Sequence, residues 1–563
     1  MNELITSRGE AVGMTPWNVY PRPQLRREHY VNLNGLWDFA VTKGLAPEGY
    51  DRQILVPYCP ESALSGVKEH FDEGASLWYH RELPLPQHCG EGRLLLHIGA
   101  ADQVCDVFVN GHLVGHHEGG YEAFTCDLTE ARAETLDITI RCRDDLRDQR
   151  FPYGKQVMER GGMWYTPVSG IWQTVWLERV PETYIRRLTI RNEGFAVTID
   201  TGLDIPGTVE VEGLGSFPLE GGKVTIAPEA PRLWSPEDPY LYDFTVTQGE
   251  DKVASYFAIR SLEIKKVGDW PRLCLNGAPY FFHGLLDQGY WPESLLTAPA
   301  PESYADDILA MKRLGFNMLR KHIKVEAEEF YYQCDKLGMV VFQDMVNNGD
   351  YQFFRDTALP TVGLQCVPDK GMHKDPETRR FFRLAMEATV RQLENHPSIL
   401  YWTIFNEGWG QFCADEVYHE LRALDSSRWI DATSGWFRRR ETDVDSRHVY
   451  FRKVELKGDG KKPLVLSEFG GKTYRAEGHI FNSEKVYGYG GCETPEALAQ
   501  ALEKLYLEEV LPCIPQGLCA AVYTQVSDVE DEINGLLTYD RRLCKVGPET
   551  MLPIAEKLRK FND

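Results

Sequence analysis

Two glutamates stand where an apolar strand would least be expected to end on a charge. The run LYWTIFNEGWGQF (400–412) finishes its apolar stretch on Asn406 and Glu407, and PLVLSEF (463–469) carries Glu468. A carboxyl at the tip of an apolar strand is costly unless it is paired, hydrated or used. Two such carboxyls facing each other can cleave a glycosidic bond. One donates a proton to the departing oxygen, and the other attacks the anomeric carbon or activates water. Their mutual repulsion also raises the pKa of one partner, which makes it an acid near neutral pH. An arginine and a tyrosine beside the other would keep it ionised, and Arg320 and Tyr450 are placed for that task.

Such distant residues meet only if the fold brings them together. After about residue 267, helical stretches alternate with short buried strands. The expected strands are 280–285, 316–320, 339–344, 398–407, 428–434, 448–451, 463–469 and 518–525. Helical spacing over 303–314 ends at Gly315, which suits a C-terminal cap. Eight β-then-α units in this length predict a (β/α)8 TIM barrel. A doubly wound sheet could also alternate, but no Gly-rich phosphate loop follows the first strand. Barrel chemistry sits at the C-terminal strand ends. That rule gathers Arg320 and His322 after strand two, Asp344 on strand three, and Asn406, Glu407 and Trp409 at strand four. Trp436 follows strand five, His448 and Tyr450 lie on strand six, Glu468 on seven and Gln525 on eight. His322 and His448 fit either a site or a satisfied core role. Arg320 also suits a structural ion pair, and Trp409 and Trp436 suit either sugar stacking or loop packing.

The chain is 563 residues long, too long for one core. Residues 1–181 read as a β jelly-roll sandwich, with Asn110-Gly111 as a hairpin turn. Residues 182–266 alternate apolar and polar positions, as an immunoglobulin-like β-sandwich does, and 267–563 form the barrel. The net charge of −23 disfavours nucleic acid and anionic membranes as partners. The 13 cysteines show neither zinc-ligand spacing nor a small disulfide framework. Without a signal-like N-terminus or a long apolar span, the expected setting is cytoplasmic.

NHPSILYWTIFNEGWG and KPLVLSEFGG together resemble glycoside hydrolase family 2, within the large clan of retaining (β/α)8 glycosidases. VNLNGLWDF, LWYHRELPLP and SGIWQTVWLE resemble that family's N-terminal sugar-binding-type jelly roll, and PRLWSPEDPYLYDFTV its immunoglobulin-like domain. The resemblance implies that Glu407 is the acid/base and Glu468 the nucleophile, and that Asn406 binds the sugar 2-hydroxyl. It implies a small-molecule or oligosaccharide β-glycoside as substrate and a homo-oligomer. No cofactor is expected. Some large family β-galactosidases bind magnesium and sodium, but no matching ligand set is found here, so the reaction is expected to need no metal.

Family β-glucuronidases typically hold the uronate carboxylate with an Asn-x-Lys motif near strand eight. The matching stretch reads Asn534-Gly535-Leu536, without the lysine. A β-galactosidase-like exo-β-glycosidase is therefore the leading expectation, with a β-hexuronidase as alternative. The alternative would use Arg438, Arg439 and Arg440, after strand five, as a carboxylate subsite. A non-catalytic carbohydrate-binding protein and a transglycosylase are also compatible with these residues. The resemblance also implies that Asp148, in DDLRDQRFPYGKQ, lies on a loop that reaches the barrel mouth, but an ordinary loop acid is the favoured reading.

Overall fold

The computed structural model describes residues 3–71, 74–361 and 368–560. At the N-terminus, a four-stranded and a six-stranded antiparallel sheet pack around Trp37, Phe39, Tyr79, Leu96, Val107 and Ile140. Asn110 and Gly111 take φ of 50° and 79° between the paired strands Val104–Val109 and His112–Glu118, so the expected hairpin turn is present. A second sandwich, of three and four strands, closes over Ile199, Val209, Phe244, Val246 and Phe257.

A hairpin of Leu262–Val267 and Trp270–Leu275 leads into the barrel and spans position 266. Leu273 and Leu275 join Phe282, Met318, Val340, Leu400 and Val465 in one cluster, so this hairpin plugs the end of the barrel remote from the catalytic strand ends.

The barrel strands are β1 (Phe282–Asp287), β2 (Met318–Lys321), β3 (Val340–Asp344), β4 (Ile399–Asn406), β5 (Trp429–Ser434), β6 (Asp445–Val449), β7 (Leu464–Phe469) and β8 (Leu518–Tyr523). They form one parallel sheet in the order β5-β4-β3-β2-β1-β8-β7-β6. Alternate residues face inward and outward. Phe342 and Tyr401 stack inside at 4.1 Å, whereas Val341 and Ile404 join the layer beneath the helices. The seam between β5 and β6 has no backbone ladder. The Ser434 and Ser446 hydroxyls bridge it at 3.3 Å.

The helix Glu302–Arg313 stops before Gly315, which takes φ of 89°. Asp375 caps the helix Pro376–Leu393 by accepting from the Thr378 N–H at 2.9 Å. Strand six begins earlier than expected and ends at Val449, leaving Tyr450 and Phe451 beyond it. A register shift between Arg447 and His448 accompanies this early start. Among the described residues, no helix is long and apolar enough to cross a membrane.

One long connection matters for function. Residues 144–169 leave the jelly roll after the strand Thr135–Arg143 and lie across the barrel mouth. The Tyr153 N–H donates to the Asn347 carbonyl at 3.1 Å, and its hydroxyl to the Gly349 carbonyl at 2.8 Å. Arg160 pairs with Asp531 at 3.0 Å, and the Thr166 N–H donates to Glu530 at 2.9 Å.

Candidate active site

Glu407 follows the last residue of β4 and has a φ of 53°, a left-handed conformation that costs a non-glycine residue energy. Its N–H donates to the Ser434 carbonyl at 3.0 Å. The glycines after it explain the GWG motif. Gly408 and Gly410 both have positive φ, and a side chain on either would collide with the Phe437 ring or the Asn348 carbonyl. This tight turn buries Trp409, which lines the cavity with its indole N–H unpartnered among the described residues.

Arg320 organises the floor. Its guanidinium donates to Asp344 at 2.9 Å, Glu468 at 3.0 Å, the Ser467 carbonyl at 3.1 Å and the Asn406 amide oxygen at 2.9 Å. The last contact fixes the Asn406 amide so that its NH2, which has no partner among the described residues, is left for a ligand. The Tyr450 hydroxyl donates to the other oxygen of Glu468 at 2.8 Å. His448 Nδ1 shares a hydrogen bond with Glu407 at 2.8 Å and lies 3.6 Å from Glu468.

These contacts give the two acids opposite characters. Burial pushes the Glu407 carboxyl up, and the charge of Glu468 adds to the rise; the His448 hydrogen bond opposes it without cancelling it. Burial works against ionised Glu468 too, but attraction to His448 and Arg320, helped by His322 and the Tyr450 hydroxyl, outweighs it, so this carboxyl lies below the ordinary range. Glu407 is suited to hold a proton and Glu468 to attack. His322 is pushed down to about 4, chiefly by burial, and its Nδ1 is 2.7 Å from Asp344. A neutral ring donating there leaves Nε2 as an acceptor.

The cavity above the pair holds about 210 Å³, smaller than the roughly 300–1,000 Å³ of drug-sized sites. It suits one sugar ring better than an extended chain. Of the residues expected from sequence, Asn406, Glu407, His322, Trp409, Trp436, His448, Tyr450 and Glu468 line it. Four do not, which corrects their expected role as substrate contacts. Arg320 and Asp344 lie beneath, with their donors and acceptors spent on each other and on the lining residues. Gln525 and Asn534 are fully buried, and the Gln525 amide donates to the Asn534 carbonyl oxygen at 2.8 Å.

The arginine run does not form a subsite either. Arg438 pairs with Asp445 at 3.1 Å, Arg439 with Asp369 at 3.1 Å, and Arg440 points into solvent. Asp148 is held by Arg150 at 2.7 Å and lines no part of the cavity. The same loop instead delivers Lys155, which sequence reading missed, as it missed Glu532, Tyr487, Tyr489 and Arg452. Glu532 lies two residues before Asn534, in the stretch that matches the Asn-x-Lys motif. Burial raises its carboxyl, with Lys155 and a hydrogen bond from the Tyr165 hydroxyl opposing.

Glu407, His448 and Glu468 each bring one donor atom within 4.8 Å of the others, close enough to share a metal ion. Arg320 already occupies Glu468, however, and a fixed guanidinium beside a dication is unfavourable.

A parallel barrel with paired glutamates at opposite strand ends defines a glycosidase architecture, and comparison with known proteins agrees. A family described as "Glycosyl hydrolases family 2, TIM barrel domain" matches residues 272–490, and "Glycosyl hydrolases family 2" matches 190–260, together over half the chain. The chain belongs to glycoside hydrolase family 2 and is an O-glycoside hydrolase. It is 26 % identical to a "Beta-glucuronidase" of Felis catus over 73 % of this chain and 69 % of that one. It is 25 % identical to a "Beta-glucuronidase" of Homo sapiens over 76 % and 72 %. Among solved structures, an uncultured Clostridium sp. β-glucuronidase superposes with a TM-score of 0.73 at 18 % identity, covering 95 % of this chain and 99 % of that one. A GH2 β-galacturonidase from Eisenbergiella tayi bound to galacturonate gives 0.68 at 19 %, covering 97 % and 99 %.

Proposed function

We propose that the chain is a retaining exo-β-glycosidase that removes terminal β-linked hexuronic acids by double displacement. The observation that carries the retaining reading is the pairing of Glu407 and Glu468. Their oxygens approach within 4.8 Å, on the short side of the roughly 5–5.5 Å of retaining pairs and far from the roughly 6.5–9.5 Å of inverting ones. Glu468 attacks the anomeric carbon while Glu407 protonates the leaving oxygen. Glu407 then takes a proton from water, which hydrolyses the glycosyl ester. The free Asn406 NH2 donates to the 2-hydroxyl, and His322 accepts from a neighbouring hydroxyl.

The names of the similar proteins support the hexuronide and move it ahead of the β-galactoside first expected from sequence. One observation favours the second reading, a neutral hexoside. Glu532 brings a carboxylate into the cavity, at the stretch where the uronate-binding lysine is missing. Residues 1–181 and 267–563 would build the site jointly, with 182–266 as spacer. A homo-oligomer and a cytoplasmic setting belong to the same proposal. A panel of nitrophenyl β-glycosides, with NMR of the first-released anomer, tests it. Cleavage of a hexuronide with initial release of the β-anomer is expected; α-anomer release, or cleavage of neutral hexosides alone, would overturn it.

A further inference from the structure

Lys155 lines the cavity and is only 5 % exposed. Among the described residues it has no ion pair and no hydrogen bond from its ammonium. Taking a cation out of water without a counter-charge is costly. Two rings offset part of this: the Nζ lies 5.5 Å from the Tyr165 centroid and 5.8 Å from that of Trp409. Both rings are themselves fixed. Tyr165 hydrogen-bonds Glu532, and Trp409 packs on Trp164 at 5.1 Å. The ammonium is therefore aimed as well as buried, and it faces the region shared by Glu407, His322 and Glu532.

Among the described residues, no other cation of the wall is free for a ligand in this way. Arg320 is consumed by four acceptors beneath the floor. Arg452 is exposed at the rim. Glu532 lies beyond ion-pair distance of Lys155, so the two leave a gap between an ammonium and a carboxylate. A sugar that carries a carboxylate next to a hydroxyl fills such a gap, its carboxylate on the lysine and its hydroxyl donating to Glu532.

We infer that Lys155, supplied by the jelly-roll loop and not by the barrel, recognises the carboxylate of a hexuronide and is the specificity-determining residue of the site. This rests on the hexuronidase reading above. The missing strand-eight lysine would then be replaced from a different domain, entering the same cavity from another side.

The test compares the full-length parent with Lys155→Gln and Lys155→Arg on nitrophenyl β-glucuronide, β-galacturonide, β-glucoside and β-galactoside. The expected result is a fall of about 100-fold in the uronide-to-neutral ratio of kcat/KM for Lys155→Gln, carried mainly by KM. Lys155→Arg, which keeps the charge, should fall by less than about 10-fold, and this also guards against a mere folding defect. If the parent cleaves uronides and Lys155→Gln lowers uronide and neutral rates equally, or neither, this inference fails while the proposed function stands. A parent that cleaves no uronide overturns both.

Discussion

Replacing His448 with alanine isolates its hold on both acids. The imidazole shares a 2.8 Å hydrogen bond with Glu407 and lies 3.6 Å from Glu468. Its pull lowers both carboxyls, and it is foremost among the groups that hold Glu468 down. Removing it lets both rise. A hydrogen bond to a charged group contributes about 1.5–3 kcal/mol, and one pKa unit is about 1.4 kcal/mol. The limb set by Glu407 should therefore move up by about one to two units, and loss of the charge 3.6 Å from Glu468 should move the other limb by about as much. The acidic limb of kcat/KM reports ionisation of the nucleophile, so it moves toward neutrality and the rate at pH 5–6 falls by about 10- to 100-fold. The basic limb reports loss of the Glu407 proton and moves up with it. The assay is kcat/KM against pH on an aryl glycoside with a poor leaving group, so that proton donation stays rate-determining. A profile superimposable on the parent's, or limbs that move down, would refute the assignment of His448 as the positioning residue between them.

Arg320→Leu leaves Asp344 and Glu468 as buried carboxylates without their guanidinium and should cost about 3–5 kcal/mol in urea unfolding near pH 7. Both carboxyls lie below their ordinary values when folded. Their contribution is therefore held above the unfolded carboxylate pKa and is lost as pH falls through the folded values, so the variant's deficit should shrink below about pH 4. Chelation should leave activity intact; inactivation by chelator and recovery with metal would overturn the metal-independent reaction.

Alternation and strand-end position made the barrel readable from sequence. Its short apolar strands alternate with helical stretches, and the positional rule then pointed at Glu407 and Glu468 without any contact being known. What escaped was set by loops. Arg438 to Arg440 looked like a subsite because charge is visible in sequence, but ion pairs with Asp445 and Asp369 are not. Asn534 drew attention through its motif, while the cavity wall is Glu532, two positions earlier. Lys155 was the least accessible to inference. It belongs to a different folding unit, and only the docking of that loop on Asn347, Gly349 and Glu530 brings it to the barrel. Local periodicity carries no information about such a meeting.

The loop from the jelly roll also decides how this enzyme can age and diverge. Part of the crater wall is on loan from a neighbouring unit, so a barrel that survives heating intact would still go silent once the N-terminal sandwich melts. Preference for a new sugar can in turn drift through loop 144–169, leaving the bond-breaking pair on its own strands untouched.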